Sequence, residues 1–175
     1  MNAKVLSGYG KAASASEAIF QSALSRDNLW VSAEEHKALV NGEVPAQLRQ
    51  RIARFHLVDN TRGEPSMWRK DEVIDCTIQV TDGTISGMAH LRTKDGSRVF
   101  KCQLAGKLEV KNGKVTRFDI VAKGLFRGEG QYTRRAPKGD FPLAIAFRLA
   151  DMKDIADPIP PQGSRGWVDG YMKPQ

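Results

Sequence analysis

From about residue 71 to residue 123, apolar and polar residues alternate in four runs, separated by Asp82-Gly83, Asp95-Gly96 and Asn112-Gly113. A period of two belongs to strands with one buried face. Asp-Gly and Asn-Gly are strong hairpin signals because both central residues of a type I′ turn need positive φ. The pattern predicts a four-stranded antiparallel meander and also its register. Two-residue turns place Ile74, Cys76, Ile78 and Val80 opposite Leu91, Ala89, Gly87 and Ile85. These in turn face Phe100, Cys102, Leu104 and Gly106, so one face is wholly apolar or small. A strict two-residue turn at Asn112-Gly113 would bury Arg117 and Asp119. Shifting by one residue pairs Leu108 with Phe118, Gly106 with Ile120 and Leu104 with Ala122, which predicts a bulged turn with Gly113 as the left-handed residue. The opposite face carries Asp75, Thr77, Gln79, Met88, His90, Arg92, Lys101, Gln103, Lys107, Glu109, Arg117, Asp119 and Lys123, and is polar and mainly basic.

Before the meander the period changes to that of helices. Residues 1–12 show no period and are expected to form an arm. Ser14-Ala15-Ser16-Glu17 is a capping-box pattern opening a helix to about Leu24, and Ser32-Ala33-Glu34-Glu35 repeats it for a helix to about Val40, stopped by Asn41-Gly42. Pro45 suits the first position of a third helix through about Leu57. Its core stripe is Leu48, Ile52 and Phe55, with Arg49, Gln50, Arg51 and Arg54 largely turned away. After Gly124 a strand is expected through Arg127, with Gly124, Gly128 and Gly130 permitting a bend or bulge. Residues 134–140 read as a loop. The apolar run from Phe141 to Leu149 reads as a fifth or sixth strand. Pro158, Pro160 and Pro161 end the regular structure, leaving a Pro-rich tail over 156–175 in which Trp167, Val168 and Tyr171 are able to dock.

The expected fold is therefore α+β: N-terminal helices packed on one face of a curved antiparallel meander sheet of five or six strands, forming one domain over 13–155. At 175 residues the chain is long enough to bury a core without metal or disulfides. No run approaches the ~20 apolar residues of a membrane span. The net charge of +7 is uneven. From Leu91 to Lys138 there are 13 Lys/Arg against 4 Asp/Glu, so the rest of the chain is slightly acidic. Such a block suits a solvated sheet face or an anionic partner.

Cys76 and Cys102 fall two strands apart in one row. Strand spacing of ~4.8 Å puts them beyond the ~7 Å limit for a disulfide, so both read as buried thiols. His36 and His56 are placed to face inward, while His90 falls on the polar face opposite Asp75, where a cross-strand ion pair is expected. The densest polar cluster follows the third helix, from His56 to Arg69, at a helix-to-strand connection of the sort that carries function. Within it, His56, Asp59, Arg62, Glu64 and Trp68 are the candidate ligand-binding residues. Arg62 suits a bidentate grip on a carboxylate or phosphate, and His56 with Asp59 suits an acid–base pair. The same residues also suit purely structural work: an Asx turn at Asp59, an Arg62–Glu64 pair, and Trp68 covering the core end.

No Cys-x-x-Cys, His-Glu-x-x-His, Gly-x-Ser-x-Gly or phosphate-binding P-loop pattern occurs, and no cofactor is implied. Phe100 and Phe118 point inward, so the basic face lacks the aromatic stacking residues of nucleic-acid platforms. The stretch Ala53 to Trp68, the segment Arg117-Phe118-Asp119-Ile120-Val121-Ala122 and the Asp157-Pro-Ile-Pro-Pro ending resemble a group of uncharacterised bacterial proteins, many of them exported. The resemblance implies an exported mature chain and assigns no chemistry. The order of helices and meander is also similar to nuclear-transport-factor-2-like and cystatin-like folds, which host enzymes and binding modules alike. The functional expectation is a non-enzymatic binding module for a small anionic ligand, with a pocket between helices and sheet. The alternatives are a lyase, isomerase or hydrolase using His56 and Asp59, or a protein-interaction surface on the basic sheet face.

Overall fold

The computed structural model describes residues 26–153 and 157–174. The arm and the helix expected from Ser14 lie outside the described residues. Helix α1 (Ala33–Val40) starts at its capping box: the Ser32 hydroxyl accepts from the Glu35 amide (3.2 Å) and the Glu35 carboxylate accepts from the Ser32 amide (2.9 Å). Gly42, at φ +79°, turns the chain away after it. Helix α2 (Ala46–Arg51) has Pro45 as its N-cap rather than as its first helical residue. It widens into a π turn over Ile52–His56, closed by the Leu57 amide on the Ile52 carbonyl at 2.9 Å. Leu48, Ile52 and Phe55 are buried as their spacing requires. Arg51 is not turned away as expected. It is fully buried, because residues 26–31 and the C-terminal segment pack over the side of α2 that would otherwise meet water.

Five strands follow in sequence order as one antiparallel sheet: β1 (Val73–Thr81), β2 (Thr84–Arg92), β3 (Val99–Lys111), β4 (Lys114–Arg127) and β5 (Asp140–Phe147). The inner face is assembled from Ile78, Ile85, Ala89, Leu91, Phe100, Leu104, Leu108, Phe118, Ile120 and Ala122. They meet Leu39, Leu48, Ile52, Leu57 and Trp68 in one core. The β1–β2 pairing matches the sequence register from Asp75 onward, and the β2–β3 pairing matches along its length. A one-residue slip would exchange the inner and outer faces, so the apolar alternation holds this register in place.

Three details depart from the expectation. The second connection keeps the expected register but is wider than a two-residue turn: β2 ends at Arg92, β3 starts at Val99, and Gly96 (φ +69°) but not Asp95 has positive φ. The register breaks between Val73 and Asp75, so Val73 rather than Ile74 faces Leu91, and Ile74 is exposed. At the third hairpin, Asn112 and Gly113 (φ +52° and +70°) form a strict two-residue turn. The extra residue sits deeper, where Glu109 pairs with Arg117 but Val110 pairs with Val115, leaving Thr116 unmatched. The Thr116 hydroxyl donates to the Glu109 carbonyl at 3.3 Å and uses that irregularity. Beyond the bulge the pairs are the expected ones.

Gly124 sits inside β4 without interrupting its pairing. A Cβ there would lie 1.8 Å from the Lys101 carbonyl oxygen and 2.5 Å from the Cys102 Cα, so the β3 and β4 backbones approach too closely for any side chain. Cys76 and Cys102 are free thiols, and burial pushes them up to about 11 and about 12. The run from Phe141 forms the edge strand β5, ending at Phe147, and among the described residues the sheet has five strands. After it, a 3-10 turn (Gln162–Ser164) and helix α3 (Val168–Met172) return to the helical layer. Tyr171 docks and is fully buried, whereas Trp167 and Val168 remain exposed.

Candidate functional site

The five residues singled out after α2 are held in four different ways. His56 is sealed: its Nε2 lies 2.7 Å from the Tyr171 hydroxyl, and its Nδ1 faces the Asp27 carboxylate at 3.4 Å. Its ring also packs edge-on against Phe147 and Tyr171. Burial, with Arg51 nearby, lowers its pKa to about 3, so the imidazole is neutral. Asp59 is buried beside it in sequence but serves its own turn, accepting from the Thr61 amide (3.0 Å) and hydroxyl (2.6 Å) and pairing with Arg62. Arg62 lies over the Phe141 ring, 5.4 Å from its centroid. Glu64 points elsewhere, toward Arg165 at 3.9 Å. Trp68 is interior, its indole N–H donating to the Leu57 carbonyl at 2.8 Å, with the Arg98 guanidinium 4.0 Å from its ring centroid.

The paired role imagined for His56 and Asp59 is therefore not formed. His56 is engaged with Asp27 and Tyr171, and Asp59 with Thr61 and Arg62. The cavity beside His56, bounded by Asp27, Phe55, Asn60, Thr61 and Leu143, holds only about 40 Å³. That is room for a water molecule or two and no more. A separate cleft of about 660 Å³ lies where Val44, Ala46 and Arg49 meet Ile78 and Val80 of β1.

A second cluster went unrecognised in the sequence. Arg51 pairs with Glu35 at 2.7 Å and donates to the carbonyls of Trp30 and Tyr171, each at 3.0 Å, and to that of Met172. Asp27 accepts from the Gln162 amide at 2.9 Å, the Asn28 amide group donates to the Ile159 carbonyl at 2.8 Å, and Arg26 pairs with Asp157 at 3.0 Å. These contacts clasp 26–31, the two helices and 157–174 together. Desolvation raises the Asp27 carboxyl to about 6 and pushes the Tyr171 phenol well above its usual value. Tyr171 was expected to dock, but nothing local marked Arg51 as its partner, since the carbonyls that Arg51 reaches lie as far as 121 residues away.

The open face of the sheet, opposite the helices, offers more space. A trough of about 790 Å³ crosses β2, β3 and β4, bordered by Met88, His90, Arg92, Val99, Lys101, Gln103, Lys123, Leu125 and Arg127. The register explains the arrangement. His90 faces Lys101, which faces Leu125 in one row, while Met88 faces Gln103, which faces Lys123 in the next. Arg127 is neutralised by Asp140 at 2.6 Å. Among the described residues, no carboxylate lies within ion-pair distance of Arg92, Lys101 or Lys123. His90 faces away from the helices as expected, but no ion pair with Asp75 closes. Its Nε2 is shielded from solvent and has no hydrogen-bond partner among the described residues. Desolvation, with Lys101 and Arg92 nearby, lowers its pKa below the usual histidine value. The visible signal was Met88 and Leu125 at outward positions beside the basic residues, though Val121 and Ile74 are exposed outward as well. No family model, curated protein or solved structure matches the chain, so the resemblance given above rests on its quoted segments alone.

Proposed function

We propose that the chain is a non-enzymatic binding module that takes a small anionic ligand on the open face of its sheet. The observation that carries this reading is the trough itself. It has the size of a small-molecule site (~300–1,000 Å³) and three cations, Arg92, Lys101 and Lys123, without carboxylate partners among the described residues. Unneutralised like charges on adjacent strands repel one another, and an anion bound between them removes that repulsion. The helix-to-strand cluster suits structural work better, because the Asp59 carboxylate and the Trp68 indole N–H are already engaged and the space beside His56 is too small for a ligand. An acid–base reading of His56 finds no support in a ring enclosed by Tyr171, Phe147 and Asp27.

Thermal-shift measurements across a panel of phosphates, dicarboxylates and acyl carboxylates test the proposal. At least one anion is expected to stabilise the wild-type chain and the Arg62→Ala variant alike, but not Lys101→Glu/Lys123→Glu. Stabilisation that survives the charge reversal, or disappears in Arg62→Ala alone, would return the site to the helix-to-strand cluster.

A further inference from the structure

We propose that the ligand of the open face is a free amphiphilic anion, a single carboxylate or phosphate head on a hydrocarbon chain. The inference rests on the binding reading above and specifies its chemistry.

The trough is not lined by cations alone. Met88 and Leu125 are 48% and 53% exposed, and Val99 is half-buried beside them. These three side chains are interleaved with the charges. Leu125 sits directly opposite Lys101, Val99 directly opposite Arg92, and Met88 next but one to His90 on the same strand. An inorganic anion or a sugar acid makes no use of such apolar surface, whereas a hydrocarbon chain laid along it removes that surface from water. The cations are placed for a compact head. Lys101 and Lys123 are diagonal neighbours on β3 and β4, with Cβ atoms ~7–8 Å apart, so both ammonium groups reach one carboxylate or phosphate between them. His90 lies next to Lys101 across the β2–β3 pairing.

The alternatives fit less well. Phe100, Phe126 and Phe141 all lie on the inner face, so nucleic-acid bases find no aromatic ring to stack on in the trough. A second copy of the chain would bring the same unneutralised cations against themselves.

Calorimetric titration of the full chain with decanoate below its micelle concentration tests the class. Decanoate is expected to bind saturably and at least about tenfold more tightly than acetate or inorganic phosphate, while decyltrimethylammonium does not bind. Leu125→Ser, a change at an exposed position, is expected to weaken decanoate about tenfold and leave the affinity for phosphate unchanged. Decanoate binding no more tightly than acetate, while small anions still respond to Lys101→Glu/Lys123→Glu, would overturn the amphiphile and leave the binding face standing. Loss of every anion response would overturn both readings. Cosedimentation with phosphatidylglycerol vesicles without binding of monomeric decanoate would assign the face to a bilayer surface and overturn the free ligand.

Discussion

Asp27 and His56 lie 3.4 Å apart and respond to pH in opposite senses. The carboxyl of Asp27 is raised from 3.8 to about 6 by burial, so the folded protein holds its proton more tightly than the unfolded chain. Its contribution is full below pH 3.8 and is lost as pH rises through 6. His56, lowered from 6.5 to about 3, contributes stability above pH 6.5 that is lost as pH falls toward 3. Substituting one residue at a time separates the two. Asp27→Asn is expected to gain on the wild type as pH rises from 4 to 6, by up to about 2–3 kcal/mol in urea unfolding. A gain that shrinks over that range contradicts the assignment. The Glu35–Arg51 pair belongs to the same scale. Both side chains are at most 5% exposed, and Glu35→Ala strands a guanidinium in the interior. The expected loss is about 3–5 kcal/mol by the same assay, and a loss under about 1 kcal/mol would show that Arg51 reaches solvent. This is where sequence reading was weakest. Helical spacing placed Arg51 on the solvent side, and only the long-range return of Tyr171 and Met172 makes that side interior.

At the scale of elements, the meander was legible almost residue by residue because period, turn chemistry and burial agree there. Each turn needs two residues at positive φ or a glycine, and each inner-face row needs small or apolar partners, which leaves one register between Asp75 and Ala122. The misplaced features are where local alternatives are nearly equivalent. Val73 and Ile74 are both β-branched and either can face Leu91, and the extra residue of the third hairpin can sit in the turn or at Thr116 without changing which residues are buried beyond it. Gly124 gives the sharpest test. With 1.8 Å between a built Cβ and the Lys101 carbonyl oxygen, Gly124→Ala must spread β3 from β4. It is expected to cost about 1–3 kcal/mol or more. A neutral Gly124→Ala in thermal unfolding would contradict the close approach.

Across the whole molecule, the two faces of the sheet divide the work. One is packed under α1, α2 and the returning C-terminal segment, stapled by the Arg51 and Asp27 clusters. The other carries the basic excess that begins at Leu91 and shows a trough between its strands. The charge bias was plain in the sequence, but the proposed site was not. Polar density after α2 drew attention to His56, Asp59, Arg62, Glu64 and Trp68, although buried structural networks also need polar residues in clusters. A sequence shows that density without showing whether the groups are already paired. The outward Met88 and Leu125 were the fainter sign of the proposed site. If the open face binds anions through exposed cations, affinity should fall as ionic strength rises from about 0.05 to 0.5 M (roughly a threefold shorter screening length). Salt-independent binding would point instead to a buried site.

The most direct measurement is amide chemical-shift mapping during titration with decanoate or with whichever anion gives the largest thermal shift. Perturbations are expected to cluster on Met88, His90, Arg92, Lys101, Gln103, Lys123 and Leu125 and to leave His56 through Trp68 unmoved. Shifts concentrated on His56 through Trp68, with the open face silent, would contradict the account.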